Sequence, residues 1–187
     1  VKGFCYGSDC YGVSALGRCP RCALGERMAR MSEAAFEVMD VARGEFDSGE
    51  LLALWERSVR ATHHFVSEAD VVAMRPEVTG GLAFVEHVAV ARELLQGGER
   101  GRVLGFAGAH EGNLEMLFCD ADVRGQGVGR ALLRHAVAAW GVATVDVNEQ
   151  NGQAVGFYEH EGFAVTGRDA LDSEGRPYPI LRMALRG

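Results

Sequence analysis

The sequence predicts an α+β fold, with a mixed, mostly antiparallel sheet of about seven strands and about four helices. Three observations lead there. The elements read from hydrophobic periodicity run β-α-α-β-β-β-α-β-α-β-β, which lacks the regular alternation of a doubly wound sheet. Strand-like runs at 84–91, 103–109 and 114–119 are separated only by turns at 96–101 and 110–113, the pattern of an antiparallel meander. The third run then passes through Arg124-Gly125-Gln126-Gly127-Val128-Gly129 into a helical pattern, a strand, glycine loop and helix in sequence.

Each element has its own signal. Residues 35–41 carry β-type side chains and open the sheet, with Gly44 and Asp47 in the loop that follows. Ser48 is read as the cap of a first helix. In it Leu51, Leu54, Trp55, Ser58, Val59 and Thr62 recur at three- and four-residue spacing, the mark of one buried face. His63-His64-Phe65 closes this helix. Ser67 caps a second helix, with Glu68 and Asp70 in its first turn. Pro76 is expected to interrupt it and Gly80-Gly81 to loosen its end.

After the glycine loop, 128–140 reads as a helix that exposes Arg130, Arg134 and Ala138. It lays Leu132, Leu133, Ala136, Val137 and Trp140 on the sheet, and Gly141 ends it. A short strand at 142–147, a helix at 151–161 stopped by Gly162, and a strand pair at 163–166 and 180–185 complete the chain, with 172–179 as a connecting loop.

The 187 residues, 48% hydrophobic and 24% charged, suit one globular domain with a sizeable core. No apolar stretch approaches the roughly 18 residues of a membrane span, and no signal-peptide core stands at the start, so a cytoplasmic protein away from membranes is expected. A net charge of −7 argues against general affinity for nucleic acid and suits a cationic partner such as an amine.

Cys5, Cys10, Cys19 and Cys22 crowd the first residues, leaving Cys119 alone afterwards. Their C-x4-C-x8-C-x2-C spacing has the chemistry of a zinc site, although the eight-residue loop is shorter than most zinc ribbons allow. Periodicity is absent from most of this segment, and Met28 and Met31 each stand where translation could start. Residues 1–33 are therefore expected to be a poorly ordered extension or a misassigned start, with zinc binding as the alternative. Residues 34–187 form the domain. Disulfides are not expected in a reducing compartment.

The glycine loop has the physics of a pyrophosphate cradle. Its glycines let ligand oxygens approach backbone N–H groups, and the next helix points its free N–H groups and positive dipole end at the same place. A dinucleotide-binding loop would need glycine at position 130 or 132, and a P-loop would need Lys-Ser/Thr after its last glycine; neither is present. The pattern that fits is Q/R-x-x-G-x-G/A, as Arg124, Gly127 and Gly129.

Together, residues 117–133 and 147–163 resemble the two CoA-binding motifs of the GNAT N-acetyltransferases. The match includes Asn151, Tyr158 and Gly162-Phe163 in the second segment. The helix at 54–63 and the tail around 165–168 and 175–179 resemble the stand-alone bacterial GNATs of the YjaB type. The likeness covers about residues 34–186.

The resemblance implies a GNAT-like fold with an acyl-CoA cleft between the fourth and fifth strands, acetyl-CoA as cosubstrate and no catalytic metal. Its implied partners are acetyl-CoA and a primary amine, either a protein lysine or a small molecule, and the chain would be a monomer or homodimer. It places the pantetheine arm along Leu117, Phe118 and Cys119. The pyrophosphate falls on Arg124, Gly125, Gln126, Gly127, Val128, Gly129 and Arg130. It brings Asn151 to the cofactor, alongside that residue's plainer role as a helix cap.

Transfer from a thioester to an amine expels a thiolate, and the Tyr158 phenol is placed to protonate it as general acid. Two helical turns separate it from Asn151, so both face the cleft. The alternative is a core aromatic beside Phe157.

A lysine-like amine, with a reference pKa of ~10.4, must also lose a proton at a cost of about 4–5 kcal/mol near neutral pH. Glu115 is the candidate base, acting through water; strand alternation puts it on the face of Leu117, and its alternatives are a solvated carboxylate or an amine-binding anion. A backbone N–H near Leu117 is available for the oxyanion. His63 and His64 are candidates for contacting the acceptor or serving as another base, set against simple capping of a helix C-terminus. Tyr178 is expected to line the acceptor pocket with the loop 172–179.

Two readings from other classes stand beside this one: a non-catalytic acyl-CoA-binding or sensing module, and an acetyltransferase whose zinc-bearing N-terminal segment recruits a partner.

Overall fold

The computed structural model describes residues 36–42 and 44–187. The expectations for residues 1–33, the Cys5, Cys10, Cys19 and Cys22 set included, lie outside them. Seven strands form one sheet: β1 (Phe36–Asp40), β2 (His87–Leu94), β3 (Arg100–His110), β4 (Asn113–Cys119), β5 (Thr144–Asn148), β6 (Phe163–Asp169) and β7 (Ile180–Leu185). Their order across the sheet is β1-β2-β3-β4-β5-β7-β6. Every neighbouring pair is antiparallel except β4 and β5. Helices α1 (Ser48–Thr62), α2 (Glu68–Phe84), α3 (Val128–Trp140) and α4 (Gly152–His160) complete the described fold, and their order along the chain is the one periodicity predicts.

Two apolar clusters hold the layers together. Leu51, Leu54, Trp55 and Val59 of α1 and Val71 and Leu82 of α2 pack with Val88, Val90, Val103 and Phe106 of the sheet. Leu132, Leu133 and Ala136 of α3 and Tyr158 of α4 pack with Ala89, Ala91, Ala107 and Ala109. Along β2 the valines and alanines alternate, so the two clusters lie on opposite faces. Alanines keep the surface low beneath α3. Each large side chain fully removed from water contributes about 1.5–3 kcal/mol before entropy is counted.

Local details differ from expectation in instructive ways. Asp47, not Ser48, caps α1: its Oδ1 accepts from the N–H groups of Gly49 at 2.8 Å and Glu50 at 3.3 Å. A carboxylate there also brings negative charge to the positive helix end. Helix α2 continues past Pro76 to Phe84 without a break. Proline removes one donor to the carbonyl of Val72, but that residue and Pro76 are exposed and water can take the donor's place. Gly81 lies against the end of the Met116 side chain: a Cβ on it would come within 2.3 Å of the Met116 Cε, and that flexible end would have to move aside. With α2 longer, β2 starts at His87 rather than 84.

Candidate active site

The β4–β5 junction creates the site. The strands pair only at Asn113↔Thr144 and Leu114↔Val145, after which β4 runs on to Cys119 and β5 to Asn148 with a gap between them. Main-chain groups on that edge of β4 lose their strand partner, which leaves them to a ligand. Leu117, Phe118 and Cys119 border the resulting cavity of about 390 Å³.

The glycine loop forms the next wall. Gly125 (φ 77) and Gly127 (φ 86) take the left-handed backbone that a side chain would strain. Gly127 is also the N-cap of α3 and brings no side chain to cap it. Residues 128–130 thus border the cavity with helix N–H groups open to an anion. Arg124, Gly125, Gly127 and Arg130 share this wall. Gln126 does not reach the cavity; its Nε2 donates to the Asp122 carbonyl at 3.1 Å.

Helix α4 closes the opposite side. Asn151 caps it, its Oδ1 accepting from the Ala154 N–H at 3.2 Å, and it also lines the cavity. Tyr158 is 6% exposed, set edge-on to Phe157 and Phe163 with centroids at 5.2 and 5.8 Å. Its ring belongs to the core while the residue borders the cleft, so its place in the core does not take it away from the cavity. Arg124 hydrogen-bonds Gln153, tying the glycine loop to α4 across the mouth.

A second cavity of about 200 Å³ lies beside the first. Trp55, Val59, Val66, Met74 and Ile180 give it apolar walls; Asn148, Asp172 and Tyr178 add polar groups; His63 and Phe118 belong to both cavities. The Tyr178 hydroxyl is committed to Asp70, donating to Oδ2 at 2.5 Å, so its ring rather than its O–H faces the space.

His64 is exposed and borders neither cavity. Glu115 also stands outside both. The register explains it: Gly108 pairs with Met116 and Ala109 with Leu114, so Glu115 is the extra residue of a β-bulge and simple alternation fails there. Its exposed carboxylate accepts from Asn113 Nδ2 at 2.9 Å.

Residues 63–165 match the acetyltransferase (GNAT) domain family. The peptidyl-lysine N-acetyltransferase YjaB of Escherichia coli K12 is 42% identical over 152 residues, 80% of this chain and 99% of that protein. This chain belongs to the GNAT acetyltransferase family. The Salmonella typhimurium LT2 YjaB is 40% identical over 148 residues, 78% of this chain and 97% of its own. Among solved structures, apo YjaB from Escherichia coli matches with a TM-score of 0.69 at 38% identity, covering 82% of this chain and 99% of that one. The PaiA N-acetyltransferase of Thermoplasma acidophilum, solved with coenzyme A, shares the fold with a TM-score of 0.58 at 15% identity, covering 81% and 99%.

As a GNAT enzyme the chain moves acetyl from acetyl-CoA to an amine. Burial is the main influence on three ionisable groups of the cleft, Cys119, Tyr158 and His63. Burial, then the charge of Asp120, pushes the Cys119 thiol up to about 12, which leaves it neutral and a poor nucleophile. Burial raises the Tyr158 phenol as well, with Cys119 adding to it, so Tyr158 holds its proton at neutral pH. Burial lowers His63 below its ordinary value, and the neighbouring His64 lowers it further against an opposing pull from the Val59 carbonyl. Its imidazole is neutral at pH 7.

Asp120, 3% exposed, anchors the end of β4. Burial opposes its charge, but hydrogen bonds from Arg57 and the Asp122 N–H, with the charges of Arg57 and Arg102, hold its pKa below the ordinary carboxylate value. Arg57 on α1 and Arg102 on β3 reach its Oδ2 at 2.9 and 3.0 Å, fixing the wall that carries Leu117 to Cys119.

Ser58, Thr62, Gln153, Ala154 and Phe157 also line the cleft and were not singled out by motif. For Ser58 and Thr62 a signal was there: two hydroxyls four residues apart in an otherwise apolar helical stripe.

Proposed function

We propose that this enzyme acetylates the Nε amine of protein lysines. The observation that carries the reading is the meeting of two cavities at His63 and Phe118. One is bordered by uncapped helix N–H groups and a neutral phenol, fit for a pyrophosphate and a thioester. The other is smaller and mostly apolar, fit for the four-carbon stem of a lysine. The naming of the two YjaB relatives as peptidyl-lysine N-acetyltransferases supports that acceptor.

In this reading the free edge of β4 at Leu117, Phe118 and Cys119 pairs with the pantetheine amides, and the N–H groups of Gly125, Gly127, Val128, Gly129 and Arg130 hold the pyrophosphate, that of Gln126 being given to the Val123 carbonyl. Asn151 meets the cofactor from α4. Tyr158 donates its proton to the departing sulfur, a contribution of about 10²–10⁴ in rate. Its hydroxyl makes no hydrogen bond within the described residues, and burial keeps it protonated. The rest of the acceleration comes from holding amine and thioester together.

The test is mass spectrometry after incubation with acetyl-CoA and a peptide that carries one lysine and a blocked N-terminus, beside free alkylamines and a peptide with only an α-amine. Acetyl on the lysine Nε is expected. Acetylation of the α-amine or of small amines alone would move the acceptor class elsewhere.

A further inference from the structure

The acetyl-transfer reading leaves the ammonium proton of the acceptor without a destination, because Glu115 stands outside both cavities. We propose that His63 is the general base, taking that proton on Nε2, and that Thr62 and Ser58 fix the tautomer that makes this possible. The inference rests on acetyl transfer in this cleft and adds a catalytic residue to it.

A directional chain of hydrogen bonds carries the assignment. The Thr62 Oγ1 donates its one proton to the Ser58 carbonyl at 2.8 Å. It therefore has only lone pairs to offer His63 Nδ1, 2.7 Å away, and Nδ1 must carry the hydrogen and donate it. That leaves the lone pair of the neutral ring on Nε2. From the other side, Asn151 Oδ1 accepts from the Ala154 N–H, which turns its Nδ2 toward His63 Nε2 at 3.4 Å. Every donor meets an acceptor from α1 to α4. The link to Asn151 is long, so an incoming ammonium readily displaces it.

Position agrees with this. His63 borders both the cofactor cleft and the second cavity, so an amine reaching through the second cavity toward the thioester passes its imidazole. The ionisable groups sharing those walls are Cys119, Tyr158, Arg124 and Arg130 on one side and Asp172 and Tyr178 on the other, with His64 next in the chain. Asp172 is paired with Arg176 and Tyr178 with Asp70. Cys119 and Tyr158 keep their protons.

The step balances. His63 takes one proton from the ammonium, and the freed lone pair forms the C–N bond. The C–S bond breaks with its electron pair on sulfur, which receives the Tyr158 proton. The surplus proton on the new amide nitrogen returns to the phenolate, and imidazolium releases its proton to water.

Two measurements test it. In the intact protein, ¹⁵N NMR of the His63 ring should show the Nδ1–H tautomer at pH 7; an Nε2–H tautomer overturns the proposal without any variant. In kinetics, His63→Gln should lower kcat/KM for the lysine peptide by about 10² or more while CoA affinity holds. With a lysine analogue carrying two fluorines β to its amine, both acceptors being assayed at pH 8 where only that amine is largely neutral, the loss should shrink to a few-fold. Thr62→Val should give a smaller drop and a mixed tautomer.

Wild-type turnover with an undiminished His63→Gln variant, or an equal loss with both acceptors, refutes the base and spares the acetyltransferase reading. No turnover by the wild type removes both.

Discussion

Along one edge β4 pairs with β3 from His110↔Asn113 to Gly105↔Cys119, whereas along the other it pairs with β5 at Asn113↔Thr144 and Leu114↔Val145 alone. The closed edge is backed by Phe106, fully buried with its ring 5.7 Å from that of Phe118. The open edge is backed by a cavity. One strand thus serves stability on one side and, in the reading proposed above, is left to a ligand on the other, and the side chains that hold it firmly on the first make an unpaired edge tolerable on the second.

Substitutions should separate the two edges. Phe106→Ala, on the closed side, is expected to cost about 3–5 kcal/mol of stability in denaturant unfolding while the folded fraction still binds CoA. Tyr158→Phe, on the open side, should do the reverse, slowing acetylation by about 10² or more with unfolding and CoA affinity little changed; unaltered turnover would remove the acid.

Asp120→Asn acts where the edges meet and should cost about 1–3 kcal/mol at pH 7. Because the folded pKa of Asp120 is depressed, its contribution is fully present above the unfolded value of about 3.9 and fades as pH falls through the folded one. The wild type and the variant should therefore converge in stability on acidification. Glu115→Gln, on the bulge, is expected to change turnover less than about 2-fold, since effects of exposed groups away from a site stay within about 0.5 kcal/mol. A loss approaching that of His63→Gln would return the base to Glu115.

Much of this architecture was legible in the chain because its signals are local. The limits of α3 coincide with those expected since Gly127 and Gly141 take left-handed conformations at its two ends and Leu132, Leu133 and Ala136 recur on one side. The glycine loop and Asn151 were legible for the same reason.

What escaped depends on contacts between distant segments. Gly81 looks like a helix breaker although α2 runs past it to Phe84, and Glu115 looks cleft-facing until the pairing with β3 reveals the bulge. The Thr62–His63–Asn151 link joins residues 88 positions apart, so no spacing rule exposes it. Tyr178 does line the second cavity, but its bond to Asp70 is tertiary and has no signal in the sequence.

The central claim is that the gap between β4 and β5 holds acetyl-CoA with its sulfur between the phenol of Tyr158 and the imidazole side of the second cavity. A crystal structure with CoA and a lysine peptide tests it directly. The account predicts pantetheine amides paired with β4 at Leu117 to Cys119, sulfur within about 3.5 Å of the Tyr158 hydroxyl and the lysine stem in the second cavity beside His63. A thiol turned away from Tyr158, or a peptide that reaches the sulfur from another side, would contradict it.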